Sequence, residues 1–170
     1  RQVSGAVMTE VFGEWRRPDS GCGGGFVLWL RDLVRGPGWG LIDSDGQPKP
    51  VLRALSNVLA PVAVWMTDEG MGGYGVHVAN DRPEALNATI IISLIRSGKR
   101  LDGGESSIVV APRSVWSGDA ETIVGRWADI AYTYRFGPPA HDLVTAELRS
   151  ETGDLRGTAR RYPLGRAQAA

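Results

Sequence analysis

Cysteine and histidine are nearly missing from this sequence, which has one Cys (Cys22) and two His (His77 and His141) in 170 residues. A lone cysteine cannot close an internal disulfide, and no Cys/His spacing matches a zinc site. Neither a disulfide framework nor a metal centre is expected. Charge of one sign is missing too, with 19 basic residues against 19 acidic ones. The balance holds on both sides of Pro61, with 7 basic and 6 acidic residues before it and 12 and 13 after it. Nucleic-acid binders carry a basic surplus, so no nucleic-acid partner is expected. No apolar run approaches the ~20 residues of a membrane-spanning helix, and no signal peptide opens the chain, so no membrane partner is expected. Internal repeats and low-complexity runs are absent. The redox compartment stays open, with the cytoplasm favoured.

What is present divides at Pro61. Before it, Val3, Val7, Met8, Val11, Phe12 and Trp15 recur at helical spacing, and Glu10, Glu14, Arg16 and Arg17 lie off that stripe. Pro18 ends this predicted helix. Gly25 to Leu30 (Gly-Phe-Val-Leu-Trp-Leu) is apolar on both alternating faces, which predicts a strand buried inside a parallel sheet, with Trp29 in the core. A loop rich in Gly, Pro and Trp follows. Then Pro48-Lys49-Pro50 opens a second helix carrying Val51, Leu52, Leu55, Val58 and Leu59 on one side, and Pro61 stops it. Helix, strand, loop, helix is the order found at the end of a (β/α)8 barrel, which needs roughly 250 residues to close. Residues 1–61 are thus expected to be the terminal β/α unit of such a barrel, and the chain a fragment.

After Pro61 the period changes to two. Alternation predicts strands at Ala63 to Thr67, Gly75 to Asn80, Thr89 to Ile95, Ser107 to Val110, Ala128 to Tyr134 and Leu143 to Leu148. Turn signals separate them at Asp68-Glu69-Gly70, Asn80-Asp81-Arg82-Pro83, Ser97-Gly98 and Thr152-Gly153-Asp154. Residues 62–170 therefore read as an antiparallel β-sandwich of immunoglobulin type. The tail from Arg160 to Ala170 is basic, then small, and is expected to fray.

Several stretches carry a resemblance. Before Pro61 these are Trp15-Arg16-Arg17-Pro18, Cys22-Gly23-Gly24-Gly25, Trp29-Leu30-Arg31-Asp32, Gly38-Trp39-Gly40-Leu41-Ile42-Asp43 and Gly46-Gln47-Pro48-Lys49-Pro50. Together they resemble the end of a β-mannosidase-type catalytic barrel of glycoside hydrolase family 2. Leu59-Ala60-Pro61-Val62, Asp68-Glu69-Gly70 and Val76-His77-Val78-Ala79-Asn80-Asp81 resemble the immunoglobulin-like domain that follows it. Aligned on Asp32, the chain departs from many members by carrying Leu28 in place of Trp and Arg31 in place of Asn. Trp29 then stands one residue out of register.

The resemblance implies a retaining glycosidase acting on terminal β-mannosides, with two catalytic carboxyl groups about 5 to 5.5 Å apart. In the family both glutamates sit on earlier barrel strands, and no residue here matches either motif. No catalytic residue, metal ligand or cofactor is therefore assigned to this chain, and the fragment alone is expected to be inactive. Its expected partners are a β-mannoside substrate and the remainder of the barrel.

Two residues are candidates for substrate binding. Trp39 lies in the loop that would face the substrate, where its indole either stacks on a sugar ring or plugs the barrel mouth. Asp32, at the strand end, either bonds a sugar hydroxyl or caps the loop. Glu10 and Glu14 sit on the polar side of a helix, the solvated position. His77 and His141 lack partners for a triad and read as structural. Asn87-Ala88-Thr89 fits a glycosylation sequon, which matters only in a eukaryotic secretory setting. The glycines at 23–25 precede a strand and lack the later glycine of a dinucleotide fingerprint. Two rivals remain: a non-catalytic sandwich that binds carbohydrate or protein, and a family 2 hydrolase of another β-glycoside.

Overall fold

Alternating apolar residues beyond Pro61 do what the period demands, closing a core between two antiparallel sheets. The computed structural model describes residues 3–134, 137 and 140–165, so the tail beyond Gly165 lies outside the described residues. The chain divides into two compact units, Arg1–Ala60 and Pro61–Ala170.

Among the described residues, the second unit holds seven strands: β1 (Val62–Asp68), β2 (Tyr74–Asn80), β3 (Leu86–Arg96), β4 (Lys99–Val110), β5 (Ser114–Asp119), β6 (Leu143–Ser150) and β7 (Leu155–Arg161). They form a three-stranded sheet in the order β1-β2-β5 and a four-stranded sheet in the order β4-β3-β6-β7. All pairings are antiparallel, with Val64 opposite Val78 in one sheet and Ile92 opposite both Gly104 and Ala146 in the other. Val64, Met66, Val76 and Val78 meet Ile90, Ile92, Leu94, Val144 and Leu148 in one buried cluster. Two sheets packed on their apolar faces are the sandwich architecture. Buried Asn80 ties β2 to the end of β4, donating to the carbonyls of Glu84 (2.8 Å), Val110 (3.3 Å) and Ala111 (3.2 Å).

Three parts of this unit differ from the sequence reading. Ala128 to Tyr134 is not a strand but a run of turns. The Asp129 carboxylate accepts the N–H groups of Thr133 (2.8 Å) and Tyr134 (3.1 Å), and Tyr132 takes a left-handed φ of 55°. A side chain capping its own turn competes with the extended ladder. Secondly, β4 begins at Lys99 rather than near Ser107, although Lys99 to Ser106 is polar and glycine-rich. β3 supplies the hydrogen-bonding template, and Gly103 lies so close that a Cβ there would sit 2.1 Å from the Ile92 carbonyl oxygen. Thirdly, β5, β7 and a short helix α3 (Ala120–Val124) were not expected. β7 is an edge strand bearing Arg156, Arg160 and Arg161, and charge there discourages pairing with other chains.

Both histidines are buried within bonding networks. His77 Nε2 meets Thr67 Oγ1 (2.7 Å), Nδ1 meets Ser117 Oγ (2.9 Å), and the ring stacks on Trp65. His141 Nε2 donates to the Ile130 carbonyl (2.8 Å), and burial pushes its imidazole below its ordinary value.

In the first unit, the helices α1 (Val3–Trp15) and α2 (Pro50–Val58) pack together. Contact comes where Gly5 of α1 admits the Ala54 methyl, and Val51, Leu55 and Val58 are buried. The apolar stripe read on α1 is only partly used, since Phe12 is buried while Val3 and Val7 are exposed. Arg17 pairs with Glu14 (3.2 Å). Arg16 instead donates to the carbonyls of Val58 and Ala60, groups that the end of α2 leaves without helical partners.

The predicted buried strand is the main correction. Among the described residues, 16–49 form no strand, only two isolated bridges, Arg31 with Ile42 in parallel and Ile42 with Pro48 in antiparallel. Phe26 is 98% exposed and Trp29 61%, so Trp29 is not a core residue in this chain. The physical reason is that a strand apolar on both faces needs neighbouring strands for its N–H and C=O groups, and this chain supplies none beside it. No helix among the described residues is long and apolar enough to cross a membrane.

Candidate functional site

The region after Leu30 folds on itself without forming a sheet. Residues 30–32 run beside 41–43, held by Ile42 N–H to the Leu30 carbonyl (2.9 Å) and Asp32 N–H to the Ile42 carbonyl (3.0 Å). Residues 47–49 close the other side through Asp43 N–H to Gln47 (2.9 Å) and Lys49 N–H to Leu41 (2.9 Å). The Asp43 carboxylate accepts the N–H groups of Asp45 (3.0 Å) and Gln47 (2.8 Å), which sets the tight turn between these passes. Lys49 has an extended backbone (φ −75°, ψ 158°), as the following Pro50 requires, and is the N-cap of α2.

Asp32 and Trp39 occupy opposite situations in this loop. The Asp32 side chain is 7% exposed and the Trp39 residue 83% exposed. Asp32 Oδ1 accepts the Gly40 N–H (2.7 Å), and its carboxylate pairs with Lys49. The Lys49 ammonium also donates to the Gly38 carbonyl (3.0 Å). The Lys49 hydrogen bond and the Gly40 N–H together hold the Asp32 carboxyl below its ordinary value. Whatever Asp32 adds to stability is thus present above the ordinary carboxylate range and is lost only as pH falls through the lowered value.

Glycine is required on both sides of the tryptophan. A Cβ at Gly38 would stand 2.4 Å from Asp32 Oδ1, and one at Gly40 would stand 2.6 Å from the Asp32 nitrogen. Trp39 itself lines an open cleft of about 1160 Å³ with Val7, Met8, Phe26, Leu28 and Pro48. The cleft is mostly apolar, and the charged residues on its described lining are Asp43 and Lys49. No group of three or more His, Cys, Asp or Glu able to hold a metal ion is found among the described residues.

Sequence reasoning singled out Trp39 and Asp32, and the structure places them in one loop, seven residues apart, in different surroundings. It missed Lys49 as Asp32's partner. The signal was the Lys-Pro pair, which fixes the lysine backbone at a helix start.

No protein-family model matches the chain, and no curated protein sequence matches it. Among solved structures, the fold is similar to that of the β-D-mannosidase from Dictyoglomus thermophilum, with TM-score 0.69 and 16% identity over 93% of this chain and 18% of that one. It is also similar to the exo-β-D-glucosaminidase CsxA, with TM-score 0.68 and 13% identity over 94% of this chain and 18% of that one. The Amycolatopsis orientalis exo-chitosanase CsxA, solved with PNP-β-D-glucosamine, gives TM-score 0.67 and 14% identity over 95% and 18%. At such identities the likeness is one of fold, and the chain spans 18% of the length of each. The chain thus has a fold found within a β-D-mannosidase and within an exo-β-D-glucosaminidase.

Proposed function

We propose that this chain is the C-terminal part of a retaining glycoside hydrolase acting on terminal β-mannosides. Residues 1–61 would complete the catalytic barrel and residues 62–170 would be its immunoglobulin-like domain. The acid/base and nucleophile would come from the preceding barrel strands. The observation that carries this reading is Trp39, a large aromatic side chain left 83% exposed on a loop tied down on both sides. An indole face so presented suits the apolar face of a sugar ring. Support for the missing barrel comes from Phe26, Leu28, Trp29, Leu30 and Leu33, all exposed, which barrel neighbours would cover.

In the whole enzyme, Trp39→Ala is expected to lower kcat/KM on an aryl β-mannoside with little change in Tm. A stacking contact of about 1 to 2 kcal/mol corresponds to roughly a 5- to 30-fold loss. Unchanged kinetics would remove Trp39 from the substrate pocket. The 170-residue chain alone should show no turnover of the same substrate above buffer. Hydrolysis that survives purification would show that its own residues suffice. A second reading, β-glucosaminide hydrolysis, is favoured by the fold likeness to the exo-β-D-glucosaminidase. A panel of aryl β-glycosides separates the two by the ratio of their kcat/KM values.

A further inference from the structure

Asp32, the charged residue first considered as a sugar ligand, is already engaged within its own loop. Its side chain is 7% exposed, one oxygen is held by the Gly40 N–H, and the carboxylate is paired with Lys49. We propose that Asp32 and Lys49 are positioning residues that aim the Trp39 indole and do not themselves touch substrate. This rests on the reading of Trp39 as the sugar contact.

The geometry is a closed ring around one residue. The Gly38 carbonyl belongs to the peptide group before Trp39, and Lys49 holds it at 3.0 Å. The Gly40 N–H belongs to the peptide group after Trp39, and Asp32 holds it at 2.7 Å. Peptide groups are planar, so a residue has only two soft backbone rotations, those relating its two flanking planes. Holding both planes fixes φ and ψ of Trp39, and with them the direction in which its Cβ leaves the backbone. The Asp32–Lys49 ion pair joins the two holds into a single device. Its base is fixed as well, because Lys49 is anchored by its own N–H to the Leu41 carbonyl (2.9 Å) and by Pro50. An exposed aromatic side chain on an otherwise loose loop would spread over many orientations and lose binding free energy on being ordered. Here the backbone share of that ordering is built in before the sugar arrives.

The test uses the 170-residue chain labelled with ¹⁵N, in which Trp39→Phe identifies the Trp39 indole signal. Lys49→Met should shift or broaden that signal together with the Gly40 amide, while the amides of α2 and of the sandwich stay in place. Lys49→Arg, which keeps the charge and the donors, should leave most of the signal where it was. Unmoved Trp39 and Gly40 signals in Lys49→Met would overturn the proposal. So would loss of the α2 amides along with the loop, which would make the pair a general support for the unit.

In the whole enzyme, Lys49→Met should lower kcat/KM on the aryl β-mannoside by the same roughly 5- to 30-fold as Trp39→Ala. The double variant should lose no more than Trp39→Ala alone, since both changes act through one side chain. Additive losses would overturn the proposal. If Trp39→Ala proves kinetically silent while the spectra of Lys49→Met still move, the sugar-contact reading fails and the aiming of Trp39 stands.

Discussion

Replacing Ile92 by Ala is expected to cost the sandwich about 3 to 4 kcal/mol, within the 2 to 5 kcal/mol common for such truncations. Ile92 lies on the central strand β3, bonded on one side to β4 and on the other to β6, and is completely buried. Neither flanking strand can collapse into the space without breaking its register, so the cavity stays largely open. For a unit of this size the loss corresponds to a fall in Tm on the order of 10 to 25 °C. The neighbouring Ile91 points to the other face of β3 and is only partly buried, so Ile91→Ala is the internal control. Urea unfolding followed by far-ultraviolet circular dichroism decides it. A loss below about 1 kcal/mol for Ile92, or an equal loss for Ile91, would contradict the assigned register.

Trypsin should cut the first unit long before the second. Arg31 and Arg35 lie where, among the described residues, the backbone has no helix or strand, and the Arg35 side chain is 84% exposed. Leu33 and Val34 beside them are exposed too. Local opening there needs little free energy, whereas cleavage within β1 to β6 needs global unfolding of the sandwich. A difference of about 3 kcal/mol in opening corresponds to roughly 100-fold in rate when opening and closing are fast. The expected resistant product begins at Ala54, because Arg53 is the last basic residue before Pro61. Arg17 and Lys49 are followed by Pro18 and Pro50, which block trypsin, so the first cuts should fall after Arg31 and Arg35 or after Arg16. Equal resistance along the whole chain would mean that residues 16–49 are held more firmly than their bonding shows.

The turn signals of the sandwich were legible in the sequence because they are local. Ser97 and Gly98 both take positive φ (49° and 74°) between β3 and β4, and Thr152-Gly153-Asp154 turns β6 into β7. The apolar alternation of β1, β2, β3 and β6 was legible for the same reason, since a period of two writes the core-facing side directly into residue order, although β1 and β2 prove buried on both faces. Alternation misled at Ala128 to Tyr134, where Asp129 caps its own turn, and it was silent for Lys99 to Ser106, where pairing with β3 imposes the strand.

The first unit shows the opposite balance. Its two helices could be read from Pro18, Pro48, Pro50 and the apolar spacing, and Gly25 to Leu30 read as a strand because its residues suit one. Residue type cannot supply the neighbouring strands, and without them the segment stays exposed. At the candidate site, the order Asp32, Gly38-Trp39-Gly40, Lys49-Pro50 was visible in the chain. That Lys49 crosses 17 positions to meet Asp32, and that the two grip the peptide groups on either side of Trp39, was decided only in three dimensions. The sequence alone determined which segments could be helix, turn or sandwich strand, because those preferences are set by near neighbours. Tertiary structure decided which polar groups meet, because an ion pair between distant residues depends on how the intervening loop is folded.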